Sequence, residues 1–367
     1  MLSRAILASS LLALLLSSAA YCDPSTTDGD AALTQKESDA RKTQSPAEAV
    51  GIKEHDPEAK VELKEEIKEV KKEEKRKSVA LALGGGGARG AAHIGVLKAL
   101  QREGIPIDYI VGNSMGAIIG GFYASGSTPE DLERRALDGS IRKAYLPGGI
   151  PPHLLMAPII KVRKLFTKEY AGLFSGKKFE KYLRDVIPDD QEDLEHTKIR
   201  FSAVATNLLD GRSYRLSKGD LPRAMRASAS ISPLLQPVEI DDKLYVDGGV
   251  RTNLPAFSAR DTGADIVIAV LVDEPLVEQP KEKFRSVKNT TLRLADIVLA
   301  VTDAHQLKFA DVVISPNVQG ISILSNKKAD YQRAIDEGDK ATMRAMPAIR
   351  KLLGLSSKVA ATEKPEL

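Results

Sequence analysis

Residues 79–124 read VALALGGGGARGAAHIGVLKALQREGIPIDYIVGNSMGAIIGGFYA, and this stretch decides the fold. Val79 to Leu83 is a short, wholly apolar run that stops at four consecutive glycines, as a buried strand feeding a turn does. Arg89 to Glu103 carries apolar residues at helical spacing and ends at Gly104. Ile107 to Val111 predicts a second buried strand, Gly112–Asn113 a turn, and Ser114 to Ala124 a second helix. Strand, helix, strand, helix is the signature of parallel βαβ units, so the expected class is α/β.

Working outward, later strands are expected at Arg200–Thr206, Ser213–Leu216, Leu244–Val246, Asp265–Val272 and Asp311–Ile314. Helices are expected at Leu221–Ala229, Pro255–Thr262, Thr291–Leu307 and Tyr331–Leu353. One globular domain over 78–353 accounts for all of these. Gly139 to Gly176, with four prolines among mixed apolar residues, fits no element and reads as a lid or a substrate-facing insertion. Residues 354–367 read as a flexible tail.

Upstream of the domain the composition changes. Arg4 followed by the apolar run Ala5 to Leu16 and the small residues Ser17 to Ala20 reads as a secretory signal over residues 1–22, too short for a spanning helix, which needs about 20 apolar residues. This predicts export, to the periplasm or cell envelope. Cys22, the only cysteine, stands where a bacterial lipoprotein signal places its lipidated residue, although Tyr21 departs from that pattern. Residues 23–77 are polar and then charged, a linker without a hydrophobic period until Leu63, Ile67 and Val70 mark a short helical stripe within 60–77.

The overall balance excludes several classes. A formal charge of +3 over 367 residues, no tryptophan and 5% aromatic residues give no footing for nucleic-acid binding. One cysteine and five scattered histidines offer no metal-ligand spacing.

Three segments carry chemistry. Gly112-Asn113-Ser114-Met115-Gly116 lies between a strand and a helix, the context a nucleophile elbow requires. Gly112 and Gly116 leave the backbone room to turn, and Ser114 is then presented at a helix N-terminus. Gly84 to Gly87, followed by Arg89 and Gly90, can converge backbone N–H groups on an anion; Gly85, Gly86 and Gly87 are the candidate oxyanion donors. The same loop contains Gly85-x-Gly87-x-x-Gly90, the spacing of a dinucleotide-binding turn, with Asp108 near the place of the fingerprint's acid, so a nucleotide-dependent oxidoreductase competes on this loop alone. The third segment, Asp247-Gly248-Gly249, follows an apolar strand and suits a carboxylate acting as general base, or else a type I′ hairpin turn. The chain order Ser114, Asp247, His305 would fit an α/β-hydrolase triad, but His305 falls in an apolar-periodic helix; a Ser114–Asp247 pair is preferred, with His93 near the glycine loop. Arg223 and Arg226 face either a lipid phosphate or solvent, and neither is assigned.

In order and separation these motifs resemble those of the patatin-like phospholipases, and Gly112-Asn113-Ser114-Met115-Gly116-Ala117 and Asp247-Gly248-Gly249-Val250 with Asn253-Leu254-Pro255 are similar to the bacterial branch. The resemblance spans roughly Ser78 to Asp273 and, more loosely, reaches Leu353. It implies a three-layer α/β/α fold with a mostly parallel central sheet, a Ser114–Asp247 dyad without histidine, an oxyanion hole from Gly85 to Gly87 and a loop-ordering role for Arg89. It further implies hydrolysis of fatty-acyl esters, in phospholipids or other acyl lipids at a membrane surface, with no metal or organic cofactor. Gly84 replaces the Asp that opens the glycine motif in plant members and leaves the backbone donors unchanged. A non-catalytic lipid-binding envelope protein is the remaining alternative.

Overall fold

A computed structural model describes residues 76–146 and 170–355. The signal segment with Cys22, the charged stripe up to residue 75, most of the Gly139–Gly176 insertion (147–169) and the tail from 356 lie outside the described residues.

The described chain is built on one eight-stranded sheet. In sequence order the elements are β1 (Val79–Leu83), a 3-10 turn (Gly87–Ala91), α1 (Ala92–Arg102), β2 (Tyr109–Asn113), α2 (Met115–Ala124), α3 (Pro129–Leu137), α4 (Ser140–Tyr145) and α5 (Lys177–Val186). Then come β3 (Arg200–Asn207), β4 (Ser213–Leu216), α6 (Leu221–Ser228), β5 (Val238–Ile240), β6 (Lys243–Asp247), α7 (Ala256–Arg260), β7 (Ile266–Val270), α8 (Val287–Ala304), β8 (Val312–Ile314) and α9 (Lys328–Leu353). The hydrogen-bonded neighbours run β5-β6-β3-β2-β1-β7-β8, with β4 also pairing β3. The pairs β3–β2, β2–β1, β1–β7 and β7–β8 are parallel, whereas β4, β6 and β5 pair antiparallel.

The central strands are apolar throughout because both of their faces are covered. Alternate residues serve different layers. Val79, Leu81, Leu83, Ile110 and Phe201 pack under α1, α2 and α9, together with Leu97, Ile118 and Ile335. Ala80, Ala82, Val111 and Val267 face Leu254 and, in the short α7, Ala256 and Ala259. Helices on both faces of a mostly parallel sheet give the three-layer α/β/α fold.

The helix expected over Thr291–Leu307 spans Val287–Ala304, Ser140–Tyr145 at the start of the expected insertion is helical, and two further boundaries move for identifiable reasons. The expected helix from Arg89 opens as a 3-10 turn and becomes α-helical only at Ala92. The second strand runs from Tyr109 to Asn113 rather than from Ile107, because its neighbour β3 offers pairing partners up to Val204; the expected turn at Gly112–Asn113 is therefore still strand. Asp108, just before it, accepts the Val79 N–H through Oδ2 at 2.7 Å. That fixes Asp108 at the start of β1 and β2, the opposite end of the sheet from the glycine loop, so the dinucleotide fingerprint lacks its acid.

Candidate active site

The register of β3 explains how two distant segments meet. At Ala203 and Val204 this strand pairs with both β2 and β4, so those two lie on opposite edges. At Ala205 and Thr206 it pairs with both β4 and β6, again on opposite edges. Hence β2 and β6 share one edge of β3, running in opposite directions and meeting end to end: Asn113 is opposite Val204, and Asp247 is opposite Ala205, the next residue. The residues that leave these two strand ends are Ser114 and Gly248. A Cβ on Gly248 would fall 2.6 Å from the Val204 carbonyl oxygen, which shows how tightly the two ends abut.

Ser114 sits at φ 52°, ψ −119°, a conformation costly for any residue with a side chain, typically about 1–3 kcal/mol, and one that clusters at active sites. What holds it there is local and strong. The Ser114 N–H donates to Ser228 Oγ at 3.0 Å, and that hydroxyl donates to the Val204 carbonyl at 2.6 Å. The Ser114 carbonyl accepts from Ala117 and Ile118 as α2 begins. Close passage of α2 over the end of β1 requires Gly116, where a Cβ would collide with the Leu83 and Gly84 carbonyls.

Asp247 is 6% exposed. Its Oδ1 accepts the Gly249 N–H at 2.8 Å, and its own N–H donates to the Ser230 carbonyl at 3.0 Å. Burial drives the carboxyl up to about 6, against the Ser114 hydroxyl and the Gly249 N–H, both of which favour the charged form. The Ser114 hydroxyl is thus close enough to favour the charged carboxylate, while Asp247 Oδ2 accepts no hydrogen bond in good geometry. Such contacts are commonly long in the unliganded state and tighten with substrate bound.

The glycine loop lies directly over the serine. A Cβ on Gly85 would come within 3.2 Å of Ser114 Cβ and 2.9 Å of Asn113 Nδ2. The three candidate donors are not equivalent: the Gly85 N–H is engaged with the Asn253 carbonyl at 3.2 Å, while the Gly86 and Gly87 N–H groups take part in no backbone hydrogen bond among the described residues. Arg89, whose role was expected to be loop ordering, is buried and spans three segments: Nη2 meets Glu274 at 2.7 Å, Nη1 meets Asp296 at 2.9 Å, and Nε donates to the Ile321 carbonyl at 2.7 Å.

Neither histidine stands as a base. His93 is fully buried, its Nε2 is 2.7 Å from the Gly84 carbonyl, and burial lowers its pKa to about 4. It is a neutral donor that steadies the glycine loop. His305 caps the C-terminus of α8, exposed, and is absent from the groups that act on Asp247. Of the two unassigned arginines, Arg226 is buried against Glu180 (2.7 Å) and the Ser175 carbonyl (2.7 Å), and Arg223 donates to the Glu239 carbonyl at 2.7 Å. Both hold the α6 region together. No sequence pattern marks Ser228 or Asp303.

A cavity of about 290 Å³ is lined by Ala144, Tyr145, Phe174, Phe179 and Leu235 with the polar Ser175 and Lys178. It does not include Ser114 or Asp247, but Tyr145 on its wall, whose hydroxyl donates to the Ala229 carbonyl at 2.7 Å, is raised in pKa by burial and by the Asp247 charge.

Comparison with known proteins agrees with this architecture. Residues 81–260 match the patatin-like phospholipase family. An uncharacterised NTE-family protein of Mycobacterium tuberculosis is 36% identical over 192 residues, covering 52% of this chain and 48% of that protein. The patatin-like phospholipase domain-containing protein 6 of Homo sapiens is 34% identical over 195 residues, covering 53% of this chain and 13% of that protein. The chain thus matches about half the length of the mycobacterial relatives and a much smaller part of the human one. Among solved structures, VipD from Legionella pneumophila aligns over 74% of this chain and 67% of its own at 17% identity and a TM-score of 0.41, a likeness too remote to argue from. Through residues 81–260, the stretch that holds the glycine loop, the elbow and the Asp247 turn, the chain belongs to the patatin-like phospholipase family.

Proposed function

We propose that this protein hydrolyses fatty-acyl esters of phospholipids or related acyl lipids with Ser114 as nucleophile and Asp247 as general base. The observation that carries the reading is the end-to-end meeting of β2 and β6 on one edge of β3, which leaves a strained serine and a buried, proton-hungry carboxylate at adjoining strand ends. Asp247 accepts the hydroxyl proton as Ser114 Oγ forms a bond to the acyl carbonyl carbon. The Gly86 and Gly87 N–H groups receive the carbonyl oxygen as it becomes anionic, each typically contributing ~3 kcal/mol in such sites. Collapse breaks the ester C–O bond, the departing alcohol takes the proton from Asp247, and an acyl-serine is left. Water then attacks, giving its proton to Asp247, and the fatty acid leaves as Ser114 regains its hydrogen. This chemistry asks nothing of a metal or organic cofactor.

The partner is a lipid surface. Leu208, Leu209 and Val250 are exposed beyond the C-terminal end of β3 and beside the Asp247 turn, on the same end of the sheet as the elbow. The apolar signal at residues 1–22 supports action after export.

A fluorophosphonate probe on the full chain tests the reading, together with turnover of a soluble p-nitrophenyl ester. Wild type is expected to be labelled and active, Ser114→Ala to lose both, Asp247→Ala to lose about 10³-fold or more in kcat as expected for a missing base in a unit that acts together, and His305→Ala to match wild type. Labelling that survives Ser114→Ala, or that disappears with His305→Ala, would overturn it.

A further inference from the structure

The family match ends at residue 260, yet the site is held from behind by a side chain well beyond it. Asp303 lies in the last turn of α8 and is 2% exposed, although most of its helix is partly or fully open to solvent. Two local rules oppose an aspartate there. Burial penalises a charge, and the partial negative end of a helix repels a carboxylate. A residue that breaks local rules and is nevertheless fully engaged points to a task outside its own element.

Its engagement is specific. Oδ1 accepts the Leu254 N–H at 2.6 Å, and Oδ2 accepts Asn253 Nδ2 at 2.8 Å. Asn253 in turn touches both halves of the site. Its carbonyl accepts the Gly85 N–H and Asn113 Nδ2, each at 3.2 Å, and its Oδ1 lies 3.3 Å from Asn113 Nδ2. Gly85 precedes the two uncommitted loop donors, and Asn113 precedes Ser114. A second acid, Asp273, sits 3.3 Å from Asn253 Nδ2; burial and the neighbouring Asp303 raise its pKa, and burial raises that of Asp303 as well, so this corner disfavours charge on both carboxyls at once. Arg89 lies close enough to oppose that rise.

We propose that Asp303 is a positioning residue: by fixing Asn253 it holds the glycine loop and the nucleophile elbow at their mutual distance. This rests on the hydrolase reading and adds to it a residue from outside the matched segment. A merely structural tether of α8 would use the Leu254 contact equally well, and that difference can be tested. Asp303→Asn has the same shape and still offers an oxygen to the Leu254 N–H, but it turns an NH2 toward the NH2 of Asn253. The combined change Asn253→Asp with Asp303→Asn reverses donor and acceptor and rebuilds the contact, while position 253 keeps an oxygen for Asn113.

The experiment uses the full chain and a soluble p-nitrophenyl ester, with kcat, KM and the rate of fluorophosphonate labelling measured beside the thermal transition. Asp303→Asn is expected to lower kcat and the labelling rate by at least about tenfold with KM within about twofold, since a displacement near 1 Å at a catalytic site costs on the order of 10²-fold. The combined variant is expected to recover at least about half of the lost log activity. Wild-type kcat in Asp303→Asn would overturn the proposal, and so would a folded combined variant with no recovery. Unfolding of both variants would count as the structural tether and overturn it as well. Absence of ester turnover and labelling in wild type itself would instead sink the hydrolase reading.

Discussion

At the scale of single residues, the proposed reaction depends on a carboxylate whose folded environment disfavours its charge. Asp247 titrates at about 6; in an unfolded chain an aspartate titrates near ~3.9. As a base it works only ionised, so kcat/KM for a soluble ester is expected to rise with pH, reach half its plateau at about 6, and stay level above. Stability moves the other way. Below pH ~4 the group is protonated in both states and has no effect; between ~4 and ~6 the unfolded chain releases its proton first, so stability falls, and above ~6 the deficit is constant at up to about 3 kcal/mol. Asp247→Asn is accordingly expected to be inactive yet more stable than wild type at pH 8, with the gain fading towards pH 4, as urea unfolding at the two values can measure. A variant less stable at pH 8 than at pH 4 relative to wild type would contradict the assigned cause. Ser114 and Asp247, which the structure brings to adjoining strand ends, can be singled out as candidates from the sequence because each lies in a short motif whose neighbours impose its geometry. Asn253 appeared there only inside a family resemblance, and Asp303 only as part of a helical period, because hydrogen bonds between residues 50 positions apart leave no spacing to recognise.

At the scale of elements, the site is a product of strand ends and helix ends. The βαβ stretch from Val79 was legible because apolar runs, glycines and helical periods alternate within it, and β4, β6, β7 and β8 fell within a residue or two of their expected places. Other elements were not singled out. The three-residue β5 is too short for a period to appear, and its pairing with β6 is what makes it a strand. Helix α3 carries its own start signal, Thr128 Oγ1 accepting the Asp131 N–H at 3.2 Å with Pro129 at the first position, but its nine residues are too few for a clear apolar period. The antiparallel entry of β6 onto the edge already used by β2 could not be read at all, since edge sharing is a property of three strands together. Helix α6 locks this junction through its last residue, Ser228, which joins the Ser114 N–H to the Val204 carbonyl. Ser228→Ala leaves both groups without that partner in a buried place, at a cost of about 1–3 kcal/mol. It is expected to lower kcat several-fold as the elbow relaxes, while Ser228→Thr keeps the hydroxyl and recovers most of the loss. An unchanged kcat in the Ala variant would show that the elbow holds without α6.

At the scale of the whole molecule, the parallel core puts all the chemistry at one end, where the central strands finish. That end also carries Leu209 at 66% exposure, Val250 at 49% and Leu208 at 48%. Among the described residues no helix is long and apolar enough to cross a membrane, and the proposed contact with lipid is assigned to these exposed side chains. Burying a leucine fully is worth about 1.5–3 kcal/mol, and two half-exposed leucines entering an acyl layer therefore contribute on the order of 2 kcal/mol, or more than tenfold in partitioning. The paired change Leu208→Ser with Leu209→Asp removes this contribution without touching Ser114, Asp247 or the glycine loop. Flotation with vesicles of three parts phosphatidylcholine to one part phosphatidylglycerol is expected to show weaker binding, and fatty-acid release from those vesicles should fall about tenfold. Turnover of the soluble p-nitrophenyl ester should stay within about twofold of wild type, because the chemical step does not involve the turn after β3. Equal loss on both substrates would mean that the turn shapes the catalytic site itself, and unchanged vesicle hydrolysis would mean that lipid meets the protein elsewhere.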